Sequence, residues 1–187
     1  MDMKGFWKLI KKEEMKYGNL LLLLVSLIVA YIILTPSLFG SLVEGIKETR
    51  EYGLLGVFIA GLFFSYGLTT PVSIVVLYAF GSVFNPLSVA AIGAAGAAIS
   101  DYIIYYFVKR SFSKEFDKGL KKFGKLSKWL HYFAPVIAGL IIASPLPDEL
   151  GAAFLGIVKF EKRRFFVFAY FANFFGILLL AWLGSAI

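Results

Sequence analysis

Two of the five long apolar stretches in this chain are broken at their centres, and the breaks constrain the fold more than any other feature. A helix needs about 20 apolar residues to cross the roughly 30 Å hydrocarbon core of a bilayer. Asn19–Phe39, Asn85–Val108 and Phe165–Ile187 meet that length. Gly53–Gly81 and His131–Phe160 do not run unbroken. The first is interrupted by Ser65-Tyr66-Gly67-Leu68-Thr69-Thr70-Pro71, which leaves the arms Gly53–Phe64 and Val72–Gly81. The second is interrupted by Ser144-Pro145-Leu146-Pro147-Asp148-Glu149, which leaves His131–Ala143 and Leu150–Phe160. At a rise of about 1.5 Å per residue, none of these arms spans the core. Gly67, Pro71, Pro145 and Pro147 break the helix, and neighbouring Ser and Thr hydroxyls can satisfy the freed backbone groups. Each broken stretch therefore reads as a hairpin that enters the bilayer and returns. The expected architecture is an all-α membrane protein with three full transmembrane helices, two opposed re-entrant helical hairpins (53–81 and 131–160) and short amphipathic interfacial helices. Residues 18–187 form one membrane domain, preceded by an amphipathic interfacial segment over 1–17.

Composition agrees. The chain of 187 residues is 59% hydrophobic, against about 45–50% apolar in ordinary soluble domains. It has no cysteine, which excludes disulfides, thiolate metal sites and a cysteine nucleophile. Its one histidine, His131, opens an apolar stretch as an interface residue and cannot supply a metal cluster or a triad. Serine-hydrolase, zinc-protease, P-loop and dinucleotide-binding motifs are all absent, so no enzyme activity, metal or cofactor is expected.

The net charge of +7 points to membrane lipids as partners rather than to nucleic acid, because the basic residues lie between apolar stretches. Lys and Arg number 5 before Asn19–Phe39, 2 in Ser41–Tyr52, 8 in Lys109–Lys128 and 4 in Lys159–Arg164. Three crossings and two hairpins put the three richest clusters on one side, as the positive-inside rule requires. Five simple crossings would put the richest loop opposite the N-terminus. The chain is thus expected in the cell membrane as a multi-pass protein, with the N-terminus and loop 109–130 cytoplasmic. Apolar residues at roughly helical spacing lay the basic stretch Lys109–Lys128 along the surface. The small residues Ala90–Ala98 form a face that admits close approach of a helix, either within the chain or in a homodimer.

Broken helices at mid-membrane depth are where transporters hold substrates and coupling ions. The candidate pathway residues are Ser65, Thr69, Thr70, Asp101, Tyr105, Asp148, Glu149 and Asn173. Asp148 either couples a proton or cation or caps the helix that follows it. Asp101, within an apolar run and one turn before Tyr105, is either a proton site or a structural hydrogen-bonding anchor. Asn173 suits interhelical hydrogen bonding, and the hydroxyls at 65, 69 and 70 line the same cavity or cap the broken backbone. Lys109, Arg110, Arg163 and Arg164 stand at headgroup level as topology anchors or phosphate contacts.

Three sequence features carry a family resemblance. Gly61-Leu62-Phe63-Phe64-Ser65 leads through Pro71 to Ala79-Phe80-Gly81. Gly96-Ala97-Ala98-Ile99-Ser100-Asp101-Tyr102-Ile103-Ile104-Tyr105 precedes Lys109-Arg110. A Pro145-led tip ends at Leu155-Gly156. This layout resembles the DedA family, also called the VTT or SNARE-associated Golgi protein family, over about Gly53–Gly184. The resemblance implies movement of a phospholipid or polyprenyl-phosphate headgroup past the two hairpins by a flippase or scramblase, with a proton as a coupling ion in several relatives. The alternative is a proton- or cation-coupled transporter of a small solute. Three places depart from the family pattern, the first being Ser100, which stands where the family's motif has a glycine before the aspartate. Pro71-Val72-Ser73-Ile74 stands where bacterial relatives carry an acid, and Asp148 stands roughly where they carry an arginine.

Overall fold

A computed structural model describes residues 20–120, 133, 136–137, 148–157 and 160–186; side chains are placed in all of these except 111–120, 148–150 and 157. The N-terminal segment 1–17, His131, most of the arm His131–Ala143, and Pro145 and Pro147 lie outside the described residues. Every described element is helical.

Helix α1, Leu20–Ile33, does not continue through Phe39 as the sequence led us to expect. The chain bends by 82° into α2, Pro36–Glu48. The cause is local. Pro36 cannot donate into the preceding turn, and the residue before a proline is driven out of the helical region. Thr35 accordingly sits extended at φ −61° and ψ 140°, and its hydroxyl donates to the Ile32 carbonyl at 2.7 Å. Among the described residues, two helices are long and apolar enough to cross a bilayer, or three if the bent pair counts as one crossing. Along α2, Phe39, Leu42, Val43 and Ile46 face the core at the spacing of one helical stripe, and the Phe39 ring meets Tyr78 at 5.8 Å.

A short 3-10 turn, Arg50–Tyr52, leads into α3, Gly53–Phe64, and after a break comes α4, Thr70–Val83. The two arms fold back on one another. A Cβ on Gly53 would strike the Phe84 ring, and one on Gly56 would strike Phe80, so the start of α3 lies beside the end of α4. The expected hairpin boundary at the end of the first arm is the one observed. The second arm starts two residues earlier than expected because Pro71 does not break a helix. It occupies the first turn of α4, where its missing N–H costs nothing.

Helix α5 is the axis of the fold. It runs from Pro86 to Leu120 and packs against α3, against α6 (Asp148–Ile157) and against α7 (Lys162–Gly184). The sequence places its end near Val108 and a separate surface helix beyond. Instead the basic stretch continues the same helix to Leu120, since no proline interrupts it. The pairs Gly93–Ile177, Asp101–Asn173 and Tyr105–Phe165 show that α7 runs antiparallel to α5. Helix α7 also packs antiparallel to α4, with Gly184 against the Tyr78 carbonyl and Gly81 against Ala181.

The small-residue face of α5 is filled inside the chain. Ala90, Ala94, Ala97 and Ala98 are fully buried. At the crossing with α3, Gly61 lies on the Gly93 carbonyl and Gly96 on the Phe58 carbonyl. Without a hydrophobic driving force between helices in lipid, this close backbone approach is the attraction that holds them. The outward surface is apolar, with Leu21, Ile28, Phe107, Phe175 and Trp182 all more than half exposed. A patch of that extent belongs in lipid.

Candidate functional site

The break between α3 and α4 closes on itself. Thr69 donates its hydroxyl to the Phe63 carbonyl at 2.7 Å and Thr70 donates to the Phe64 carbonyl at 2.8 Å. These are the last carbonyls of α3, which have no intrahelical donor. Both threonines therefore cap the broken backbone, and Thr69 also lines a cavity of about 410 Å³ with Phe63, Val72, Ser73 and Phe80. Gly67 lies in the turn between α3 and α4. Ser65 points the other way. It is fully buried, and its hydroxyl donates to the Ala97 carbonyl of α5 at 3.2 Å. Ala97 stands 11 residues into α5, or about 16 Å along its axis. The tip of the hairpin thus sits about halfway along the apolar part of α5, Pro86–Arg110.

A row of polar groups continues along α5 from that point at one-turn spacing. Asp101 is 2% exposed, and its Oδ2 accepts from Asn173 Nδ2 at 2.8 Å. The same amide nitrogen donates to the Ala169 carbonyl at 2.9 Å. Asn173 Oδ1 is buried and has no hydrogen-bond partner among the described residues. One turn on, the Tyr105 hydroxyl donates to the Phe160 carbonyl, and its ring stacks on Phe165 with centroids 4.3 Å apart. A further turn on, Lys109 Nζ donates to the same Phe160 carbonyl at 2.9 Å and to the Tyr105 hydroxyl. Lys109 also lies over the Tyr105 ring at 5.0 Å.

The Phe160 carbonyl lies in the link between α6 and α7, so Tyr105 and Lys109 tie that link to α5. Gly156 packs on the Tyr105 carbonyl, and Ala152 and Leu155 share a buried cluster with Ala98 and Tyr105. Substituting Tyr105 with phenylalanine keeps the stack on Phe165 and removes the hydroxyl. We expect a loss of about 1 kcal/mol in thermal unfolding in detergent. A larger loss would mean that the hydroxyl organises the link rather than adding one bond.

The two basic clusters meet at this end of the molecule. Lys109 touches Phe160, and Lys162 lies over the Tyr106 ring at 5.3 Å. Arg110 is exposed beside Lys109. Arg163 and Arg164 face outward from α7, away from the polar row, and Arg164 pairs with Glu161 at 2.7 Å. Asp148 and Glu149 open α6, two turns before Gly156.

Apart from Arg110, exposed beside Lys109, and Asp148 and Glu149, whose side chains are not among those described, the sequence-predicted pathway and headgroup residues divide into three groups. Ser65, Asp101, Asn173, Tyr105 and Lys109 come together along α5. Thr69 and Thr70 serve the hairpin break. Arg163 and Arg164 belong to another surface. Sequence reasoning missed the Ala97 and Phe160 carbonyls and the Phe165 ring. A carbonyl carries no residue-specific signal, and Phe165 is one of 20 phenylalanines.

No curated protein and no solved structure matches the chain. The family model described as the VTT domain matches residues 70–186, well over half of the chain and all of it from α4 to the end of α7. With its apolar surface, its hairpin and its membrane-length helices, the chain is a membrane protein that belongs to the VTT domain family, the DedA/SNARE-associated family.

Proposed function

We propose that this protein is a lipid flippase or scramblase that moves a phospholipid or polyprenyl-phosphate headgroup across the bilayer. The observation that carries the reading is the polar row on α5. An uncompensated acid at the centre of a membrane helix costs about 2.5–3.5 kcal/mol on insertion scales. Asp101 is kept there all the same, between the mid-depth tip of the first hairpin and the Tyr105–Lys109 pair at the basic end. A headgroup crossing an apolar layer needs such a succession of hydrogen-bonding partners. In this reading the hairpin 53–81 is re-entrant from one face, the hairpin 131–160 enters from the other, and Asp148 starts its returning arm near the bilayer interior. The Lys109 and Lys162 end faces the cytoplasm, in keeping with the positive-inside rule.

Reconstitution into vesicles with labelled phospholipid, and separately with labelled polyprenyl phosphate, tests the proposal. Protein-dependent transbilayer movement of one of them is expected, and movement of neither removes it. The re-entrant arrangement has its own test, which the lack of native cysteine makes clean. Single cysteines at Tyr52 and Asn85 should react with a membrane-impermeant thiol reagent from the same side. Labelling from opposite sides would mean that the stretch crosses.

The buried carboxylate favours one further reading, a proton- or cation-coupled transporter of a small solute. Uptake driven by an imposed pH or sodium gradient, with no lipid movement, selects it over the first.

A further inference from the structure

The polar row uses the inward face of α7, through Phe165, Ala169 and Asn173. The opposite face has features that the proposed transport does not require. A shallow groove of about 600 Å³, open to the outside and lined by α7 alone, runs along it from Arg163 and Arg164 over Val167, Phe168, Phe171 and Ala172 to Phe175. Its charge lies entirely at one end. From there we infer a second site: this groove holds one anionic phospholipid of the cytoplasmic leaflet, with its phosphate at Arg163 and an acyl chain along Val167 to Phe175.

Charge is the first argument. The opening turn of α7 carries Lys162, Arg163 and Arg164 and no acidic residue. That turn is the positive end of the helix dipole, so three cations there repel both one another and the backbone. Two of them find local relief. Arg164 pairs with Glu161 at 2.7 Å, and Lys162 sits over the Tyr106 ring. Arg163 has no ionic partner among the described residues and is exposed. A phosphate oxygen would accept from its guanidinium fork with the geometry such groups prefer.

Length is the second argument. From Arg163 to Phe175 the helix rises about 18 Å, close to the roughly 15 Å from headgroup level to the bilayer midplane. The groove is as long as one leaflet is deep. Past Phe175 a separate groove of about 520 Å³ continues to Trp182 and Asn85, and no cation lines it. A docked helix would not require the charge to stop where it does, whereas lipids from two leaflets would meet end to end at Phe175. Arg163 lies at the same end as Lys109, so with that end facing the cytoplasm, as proposed above, the cationic groove opens to the leaflet where anionic lipids are concentrated. The site is occupied whether or not the protein moves lipid, because α7 itself separates it from Asp101.

The test uses the full chain, purified in a neutral detergent, with lipid retention counted by native mass spectrometry. We expect one phosphatidylglycerol retained per chain, about tenfold more strongly than phosphatidylcholine with the same acyl chains. R163Q/R164Q should lose that preference. V167W, which fills the groove and leaves both arginines in place, should lose binding itself. Val167 is exposed, so that variant folds even if the double variant does not. Equal retention of the two lipids, unchanged phosphatidylglycerol binding in either variant, or displacement of the lipid by inorganic phosphate at comparable concentration would overturn the assignment. So would a lipid-free dimer that V167W abolishes, since the groove would then be the seat of a second copy. Failure of the vesicle assay for lipid movement leaves these outcomes unaffected.

Discussion

Gly61→Leu and Gly96→Leu should each strongly destabilise the folded protein, whereas Gly176→Ala should leave it intact. A Cβ on Gly61 would lie 2.1 Å from the Gly93 carbonyl oxygen, and one on Gly96 would lie 2.3 Å from the Phe58 carbonyl oxygen. Both obstacles are backbone atoms of the facing helix and cannot rotate away. To admit a leucine, α3 must move off α5. That movement exposes Val57, Ala60 and Ala97 and breaks the bond from Ser65 to the Ala97 carbonyl. Overpacking a core costs about 1–3 kcal/mol where side chains can adjust, and more where they cannot. In lipid, close packing is itself the force between helices, so separation removes the attraction along the whole crossing. We expect each leucine variant to cost about 3 kcal/mol or more, a large share of the roughly 5–15 kcal/mol that holds a typical protein folded. A Cβ on Gly176 would meet no atom within 4 Å, and alanine there should be neutral or stabilising by up to about 1 kcal/mol. Unfolding of detergent-solubilised variants followed by tryptophan fluorescence checks the contrast. A leucine variant at position 61 that melts with the parent protein would show that the α3–α5 crossing is not the structural centre of the fold.

Asp101→Asn separates the two readings of the buried carboxylate. Asparagine has nearly the same shape, and its carbonyl oxygen can still accept from Asn173 Nδ2. Stability should hold or rise, because no charge then has to be accommodated in an apolar span. Transport should fall by about tenfold or more if ionisation or a charge-assisted contact at this position is part of the path. Asp101→Leu should behave differently. It removes the acceptor and leaves one N–H of the Asn173 amide unsatisfied in a buried place, at a cost of about 1–3 kcal/mol. Vesicle assays and melting curves on both variants give four numbers that distinguish the cases. Full transport in Asp101→Asn would make the Asp101–Asn173 pair a purely structural clasp between α5 and α7.

Local features of the chain decided a good deal of the architecture. The arm Gly53–Phe64, the helix through Ala90–Ala98, the last span and the closely packed small-residue face all follow from apolar runs bounded by Gly, Pro, Ser and Thr. In a bilayer every backbone group must bond within its own segment, so the length of an apolar run and the place of its breaks translate directly into helices and turns. The same reasoning failed at Thr35-Pro36, where an apolar run of sufficient length concealed a proline that turns the chain by 82°. It failed again at Pro71, which starts a helix, because a proline has opposite effects in the first turn and in the interior.

The partners of the polar residues belonged to the tertiary structure. Asp101 meets an amide 72 residues away, Ser65 a carbonyl 32 residues away, and Tyr105 a carbonyl 55 residues away. The face Ala90–Ala98 was equally suited to a neighbour in the chain or in a second copy, and α3 took it through Gly61. Sequence pattern specifies which side of a helix must be covered, because burial is periodic along one segment. Which helix does the covering depends on how all the segments fill the shared space, and that is settled only when they pack together.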